Sequence, residues 1–469
     1  MSDFIAGTAN SFSVTLGDRH AHISQDALGL FAQDQYNVLP HLTLDIGARY
    51  DWNMTPTERE NRFVVFDADS VSLVRVGTDI DEIYRQNNWN LQPRAGVVWD
   101  ASRSGRTIVR LAYGVYVNQP TTNVVAGAIA NPPLVTPLSY SGPVGFESAS
   151  SLARATGLAP STVDPDFTNA TTQSWNANIQ QELVRNVAVM AGYFGGRGNH
   201  LRISRNVNQP VNGVRPFPVL SASSPILPGV PLGNITQIEG TGRSSYRALW
   251  MSLRGRWSDG LRVTGSYTLG SSRDYNSLST QGVVVQDGYN LSGEWGPSDY
   301  DARHRVVASA IYELPFEGNA LVDGWQIAVI VQAQSGSPVN IVTSSSTLNG
   351  IANTVRPDVT GPIMTIGDVN TWFDTAPFVA ANHFGNLSRN AVVGPRFDNT
   401  DLSIAKTTRV QGARVELRAD IFNLFNHPNF GQPGTIVGSR NFGVITSTRF
   451  PTGELGSSRQ IQCSARLTF

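Results

Sequence analysis

The sequence predicts an all-β fold: an antiparallel up-and-down transmembrane β-barrel, about 13–14 strands long in this chain, with long extracellular loops and short periplasmic turns. Three observations predict it. Apolar and polar residues alternate with period two in segments spread along the whole chain. The connections between those segments are short and long by turns. Tyrosine and tryptophan gather near the segment ends.

Strict alternation marks a strand whose two faces meet different surroundings. In 42–52, Leu42, Leu44, Ile46, Ala48, Tyr50 and Trp52 alternate with Thr43, Asp45, Gly47, Arg49 and Asp51. In 261–269, Leu261, Val263, Gly265, Tyr267 and Leu269 alternate with Arg262, Thr264, Ser266 and Thr268. In 413–421, Ala413, Val415, Leu417, Ala419 and Ile421 alternate with Arg414, Glu416, Arg418 and Asp420. The last segment sets Ile461, Cys463, Ala465, Leu467 and Phe469 against Gln460, Gln462, Ser464, Arg466 and Thr468. Weaker segments of the same kind lie near 26–38, 90–100, 106–118, 173–183, 186–195, 245–257, 303–314, 324–342 and 398–408. Each is close to the ~9–11 residues that cross a bilayer at a tilt.

Short connections fall at Leu39–Pro40, Ser102–Gly105, Arg185, Ser258–Gly260, Pro315–Asp323 and Arg409–Gly412. Long polar stretches fall near 53–89, 119–172, 196–244, 271–302, 343–397 and 426–457. A soluble sandwich also alternates apolar with polar, but it does not sort loop length to one end. Strand directions then place Tyr50, Trp52, Trp175 and Tyr193 at the outer rim. Tyr36, Trp99, Trp257, Tyr312, Trp325 and Phe469 fall at the periplasmic rim. Two aromatic girdles are expected where a barrel meets the two membrane interfaces.

Composition sets bounds on function. The net charge of -1 leaves no basic footprint for nucleic acid. One cysteine, Cys463, excludes an internal disulfide framework. The longest apolar run, near Trp325–Ala333, is far short of the ~20 residues of a membrane-spanning helix. The first twenty residues, MSDFIAGTANSFSVTLGDRH, do not read as a signal peptide. Thirteen strands with the last ending in the periplasm put the first strand's start outside the cell, whereas single-chain bacterial barrels usually have an even number. The expectation is therefore that upstream sequence is missing, with an unread strand within 4–17 as one way to restore parity.

Several stretches resemble a known family. LGLFAQDQYNVLPHLTLDIGARYDW at 28–52 and NLQPRAGVVWDASRSGRTIVRLAYGVYV at 90–117 are similar to successive hairpins of TonB-dependent receptors. GPSDYDARHRVVASAIYELP at 296–315, VELRADIFNLFNHPNFGQP at 415–433, NFGVITSTR at 441–449 and the closing RQIQCSARLTF resemble the Oar-like type. The resemblance covers nearly the whole chain. It implies that residues 1–469 are the C-terminal part of a larger barrel of roughly 22 strands. The family's signal peptide, carboxypeptidase regulatory-like domain and plug are absent from this sequence. It also implies a bacterial outer-membrane location and contact with outer-membrane lipid. Phe469 matches the terminal aromatic that the barrel-assembly machinery reads. The TonB complex would be reached only through the missing N-terminal region.

Chemistry-bearing motifs are sparse. There is no nucleophile elbow, HExxH or P-loop, so no enzyme activity and no cofactor is expected. Gly195-Gly196-Arg197-Gly198 reads as a loop rather than a phosphate cradle. His20 and His22 read as a polar segment near the outer rim more readily than as metal ligands. His304 reads as structural. Asp79 and Asp81 (with Glu82) in one loop, and Asp299 and Asp301 in another, are weak Ca²⁺ candidates that lack the glycine of a dedicated calcium loop. Asp45, Arg49, Arg110, Arg254, Arg256, Glu416, Arg418 and Asp420 share polar parity and read as lumen wall; Cys463 reads as a small lipid-facing residue. Phe422, Phe425, His427 and Phe430 are possible outer-mouth contacts for an unidentified extracellular ligand. The competing readings are a passive porin or surface structural barrel, a non-functional fragment of a split gene, and, more distantly, a soluble carbohydrate-binding sandwich.

Overall fold

The structure, a computed structural model, describes residues 7–119, 122–155, 157–257, 260–277, 282–319, 321–410, 412–449 and 456–469. Its framework is one antiparallel meander of thirteen strands. These are β1 (Ala27–Leu39), β2 (Leu42–Asn53), β3 (Leu91–Asp100), β4 (Thr107–Val117), β5 (Thr171–Val184), β6 (Val187–Asn206) and β7 (Thr236–Trp257). β8 (Leu261–Asp274), β9 (His304–Glu313), β10 (Trp325–Gln334), β11 (Phe397–Val410), β12 (Ala413–Phe422) and β13 (Gln460–Thr468) complete it. Every strand pairs with its neighbours in sequence, so the order runs from β1 to β13 without a crossover. In lipid, such pairing is what satisfies the backbone N–H and C=O groups.

Each of the thirteen expected segments is a strand of this sheet, and the short-long alternation of connections holds. Residues 258 and 259 of the expected Ser258–Gly260 turn lie outside the described residues. β1 pairs only with β2 and β13 only with β12, so the sheet is open at both edges among the described residues. The 4–17 region does hold a strand, Thr8–Gly17 (residues 4–6 are not described). It pairs with the outer-loop strand Val135–Gly145 and adds nothing to the barrel wall.

The registers sort the side chains onto two faces. On one face Leu28 lies opposite Trp52, Ile46 opposite Ala95, Leu111 opposite Ala177 and Tyr193 opposite Leu249. Tyr267 lies there opposite Val306, Ala310 opposite Val329, Leu402 opposite Ile421 and Cys463 opposite Ala419. The other face carries short-range ion pairs along single strands: Arg49 Nη2 lies 2.7 Å from Asp51 Oδ1, and Arg418 Nε 2.8 Å from Asp420 Oδ1. Arg110 Nη1 donates to Gln180 Oε1 of the next strand at 3.1 Å. An apolar outer face and a polar inner face are what a lipid-embedded wall requires.

Several boundaries differ from expectation: β7 begins at Thr236 rather than near 245, and β8 runs on to Asp274 rather than ending near 269. Gly195–Gly198 lies inside β6, not in a loop. The Trp175 ring covers Gly195 across the strands, and a Cβ there would fall 2.3 Å from the indole. The glycine thus admits a flat aromatic at the outer rim. β10 breaks after Gln334 rather than running unbroken to 342, with Ser335–Ser337 outside the ladder. Pairing resumes at Pro338–Val339, which lie opposite Val393 and Val392 in the same register that sets Gln334 opposite Phe397.

The buried apolar core lies mostly outside the thirteen-stranded wall, in the outer loops. The hairpin of Val64–Asp67 and Ser72–Arg75 buries both of its faces. Phe63, Val65 and Val74 pack with Tyr84, Val124 and Phe167; Val64, Phe66 and Leu73 pack with Leu158, Leu220 and Ile235. A third cluster joins Val339, Ile341, Phe373, Phe378 and Leu387, with Phe442 against it. Loops of the sizes seen here are folded caps, not solvated tethers.

Candidate functional site: the extracellular mouth

The outer loops are held together by buried charge pairs. Arg356 and Glu294 are 3% and 1% exposed in their side chains, with Arg356 Nη1 2.9 Å from Glu294 Oε2. The remaining guanidinium donors are spent on main chain: Arg356 Nε donates to the Leu387 carbonyl at 2.9 Å and Nη2 to the Gly293 carbonyl at 3.1 Å. Glu294 Oε1 also accepts from the Gln286 amide at 2.9 Å. Alongside, Arg389 donates to Asp274 and to the Glu294 carbonyl, and its Nη1 lies 3.3 Å from Asp299 Oδ1. These contacts tie the 275–303 loop, the 335–396 loop and the outer end of β8 into one body.

A cavity of about 730 Å³ opens at this mouth. Asn118, Asn169, His200, Arg202, Asp274 and Tyr300 are among the residues lining it. It is placed by the outer ends of β4, β6, β7 and β8. Ser244 and Asp274, paired across β7 and β8, carry the parity of the polar face. Arg202 Nε is buried with no hydrogen-bond partner, and burial pulls its guanidinium below the ordinary arginine pKa. The β6 and β7 strands that carry this site, of 20 and 22 residues, extend beyond what a bilayer crossing requires. The alternation that reveals a strand inside lipid is lost in that extension, so the cavity residues were not visible as a set in the sequence.

The residues singled out from sequence are dispersed. Phe425 stands 74% exposed at the tip of the turn after β12. That turn is shaped by Asn423, which receives the His427 amide at 3.0 Å, and by left-handed Asn423 and Asn426. Phe422 ends β12, and Phe430 bridges to Thr448. None of Phe422, Phe425, His427 and Phe430 lines the large cavity. Asp299 Oδ1 accepts from Asn390 Nδ2 at 2.7 Å, and Asp301 Oδ1 from the Ser272 amide at 2.7 Å. Asp79 Oδ2 accepts from the Arg75 amide at 2.8 Å, so these carboxylates close loops. Asp81 sits in the same loop as Asp79. Among the described residues no three His, Cys, Asp or Glu side chains gather as a metal-ligand set. His20 pairs with Asp18, and His304 Nδ1 lies 2.8 Å from the Tyr267 hydroxyl at the outer rim. Phe469 follows β13 at the periplasmic end, 97% exposed.

Glu58 clamps the segment before β1 onto the 54–90 loop. Its carboxylate accepts from the amides of His22 at 2.9 Å and of Glu60 and Arg62 at 2.8 Å each. Burial pushes the carboxyl up, but the three amides and the Arg62 charge outweigh it and hold its pKa below the ordinary 4.5. A depressed carboxylate contributes stability in full above its unfolded pKa and loses it as pH falls through the lower folded value. Hydrogen exchange at the three amides, corrected for intrinsic rates, is therefore expected to rise as the pH drops below 4.5. Glu58→Gln should abolish that step; an unchanged profile in the variant would show that the clamp is not ionic.

An open meander with an apolar outer face, a polar inner face and a cavity at its extracellular mouth defines the wall of a transmembrane β-barrel. The chain belongs to the family described as outer membrane beta barrel domain, which matches residues 1–462. It is a protein of the bacterial outer membrane. Among solved structures it is similar to the outer membrane transporter YddB from Escherichia coli, at 11% identity and a TM-score of 0.54. That match covers 95% of this chain and 45% of the transporter. It is also similar to the ferripyoverdine receptor of the outer membrane of Pseudomonas aeruginosa bound to ferripyoverdine, at 11% identity and a TM-score of 0.51. That match covers 96% of this chain and 39% of the receptor. The chain thus spans less than half the length of these structures, and the likeness is one of fold. No curated protein matches it.

Proposed function

We propose that this chain is the C-terminal barrel portion of an Oar-like TonB-dependent receptor, which takes up or binds a ligand captured at its outer mouth. The observation that carries the reading is the open thirteen-strand wall laid over less than half of a larger outer-membrane transporter. Further strands at the free edges of β1 and β13 complete a barrel of roughly 22 strands, wide enough to hold a plug. The folded loops capture the ligand in the cavity beside Arg202, and the TonB complex acts through a region upstream of this chain. No covalent step is performed on the ligand, so the protein is not an enzyme. Phe469 serves as the signal for the barrel-assembly machinery. The acidic residues Asp79, Asp299 and Asp301 hold loops rather than Ca²⁺, and Asp81 lies in the loop that Asp79 closes. Phe425 and His427, exposed at the mouth, meet the ligand before it enters, while Phe422 and Phe430 support the turn that carries them.

The test is an immunoblot of fractionated native membranes with an antibody against residues 343–397. The expected result is an outer-membrane band far heavier than 50.7 kDa. A band at 50.7 kDa in that fraction would replace the reading with a self-standing porin or surface barrel. No band in any membrane fraction would leave a gene remnant.

A further inference from the structure

Lys406 breaks the pattern of the outer face. It lies in β11 opposite Trp325 of β10 and Leu417 of β12, so the register places it among lipid-facing residues. It is near the periplasmic end, a few residues from the short β11–β12 turn. Its side chain is more than nine-tenths buried, and Nζ has no hydrogen-bond partner. The ammonium lies 5.7 Å from the centre of the Trp325 ring. The indole is itself fixed, its Nε1 donating to the Leu321 carbonyl at 3.0 Å.

An ammonium withdrawn from water without a counter-ion is costly, and one ring face offsets only part of that cost. Its same-face neighbours by register, Ile404, Thr408, Ile327, Val415 and Ala465, are all uncharged. Arg418 and Glu416 have the opposite, polar parity, with Arg418 paired to Asp420, although Arg418 also borders the cavity that Lys406 lines. Lys406 also lines a cavity of about 630 Å³ with Leu321, Trp325, Ile404, Leu417 and Cys463. A cation thus sits at the periplasmic end of a largely apolar groove on the lipid-facing side of the wall. Another strand added at the free edge of β13 would lie beside this groove, not over it, because strands extend a sheet in its own plane.

We propose that the groove binds one anionic phospholipid of the periplasmic leaflet, its phosphate paired with Lys406 Nζ and an acyl chain laid along Leu417 and Cys463. The counter-charge is then supplied by the membrane, which explains why the wall carries a lysine where its neighbours are uncharged. The aromatic partner holds the stem in place and shields the pair from water.

The full chain, extracted from outer membranes in mild detergent, is exposed to phosphatidylglycerol or phosphatidylcholine and examined by native mass spectrometry. Heat-modifiable gel migration reports folding in each variant. The wild type is expected to retain one phosphatidylglycerol, with about tenfold preference over phosphatidylcholine, the size of one charge-assisted hydrogen bond. Lys406→Met should lose the preference and Lys406→Arg keep it. Ala419→Trp, which fills the groove and leaves the charge, should lose the lipid altogether. Equal retention of the two lipids by the wild type overturns the proposal, as does undiminished preference in Lys406→Met. Should Lys406→Met fail to fold, Ala419→Trp decides alone: lipid retained at wild-type level overturns the proposal, and lipid lost supports it. A co-purifying protein in place of lipid on the wild type also overturns it.

Discussion

Arg356→Ala is expected to destabilise the extracellular cap by about 3–5 kcal/mol, the usual cost of stripping one partner from a buried ion pair. The magnitude follows from what the substitution leaves behind. Glu294 is 1% exposed in its side chain, and without Arg356 its carboxylate keeps only the Gln286 amide. The Leu387 and Gly293 carbonyls lose their donors as well. Protease accessibility of the 335–396 loop on intact cells measures the effect, since the thirteen-strand wall should stay folded while the cap opens. Replacing both residues with methionine should be milder than Arg356→Ala alone, because no buried charge remains. If the single and double variants resist protease like the wild type, the pair does not hold the cap.

Val329→Arg should cost about 2–4 kcal/mol, the range for an arginine at the lipid-facing midplane of a barrel. Val329 lies halfway along β10, opposite Ala310 and Leu402 on the apolar face. The next residue supplies the control. Ile330 lies opposite Ser309 and Asp401 on the polar face, where an arginine finds water and a carboxylate. Ile330→Arg is expected to change stability by less than about 1 kcal/mol. Urea unfolding in lipid bilayers compares the two. A larger loss for Ile330→Arg would mean that the faces have been assigned the wrong way round, and equal losses that the two faces do not meet different surroundings.

The wall was legible in the sequence because lipid imposes a period-two code on whatever crosses it. Residues 42–52, 261–269 and 413–421 alternate cleanly, and their strands begin at Leu42, Leu261 and Ala413. The same cause sets the limit of the reading. β6 and β7 run on past the membrane, where neither face meets lipid, and the alternation fades while the pairing continues. The caps were illegible for a different reason. Their glycine, serine and asparagine suggest solvated loops, yet the apolar residues scattered among them converge from distant parts of the chain. Phe63, Tyr84, Val124 and Phe167 lie far apart in sequence and pack in one cluster. The unbroken apolar run FVVF at 63–66 was the one local clue, since a strand buried on both faces reads as continuous rather than alternating. Arg202 gave no signal, and Lys406 only a break in the alternation after Leu402 and Ile404: their significance lies in partners they lack, which only packing reveals.

The uninterrupted order of the meander has a consequence for how such a protein can change size. Within the wall, each inner strand is in register with the two strands beside it and each edge strand with one. Duplicating or deleting one hairpin, with its tight turn, therefore leaves the other pairings within the wall intact, while the contacts of the outer loop that goes with it are lost. It also keeps each remaining loop on its own side of the membrane, because strands enter or leave two at a time. Circumference is thus adjustable in units of a hairpin, by recombination within the gene, with no need to redesign the rest of the wall.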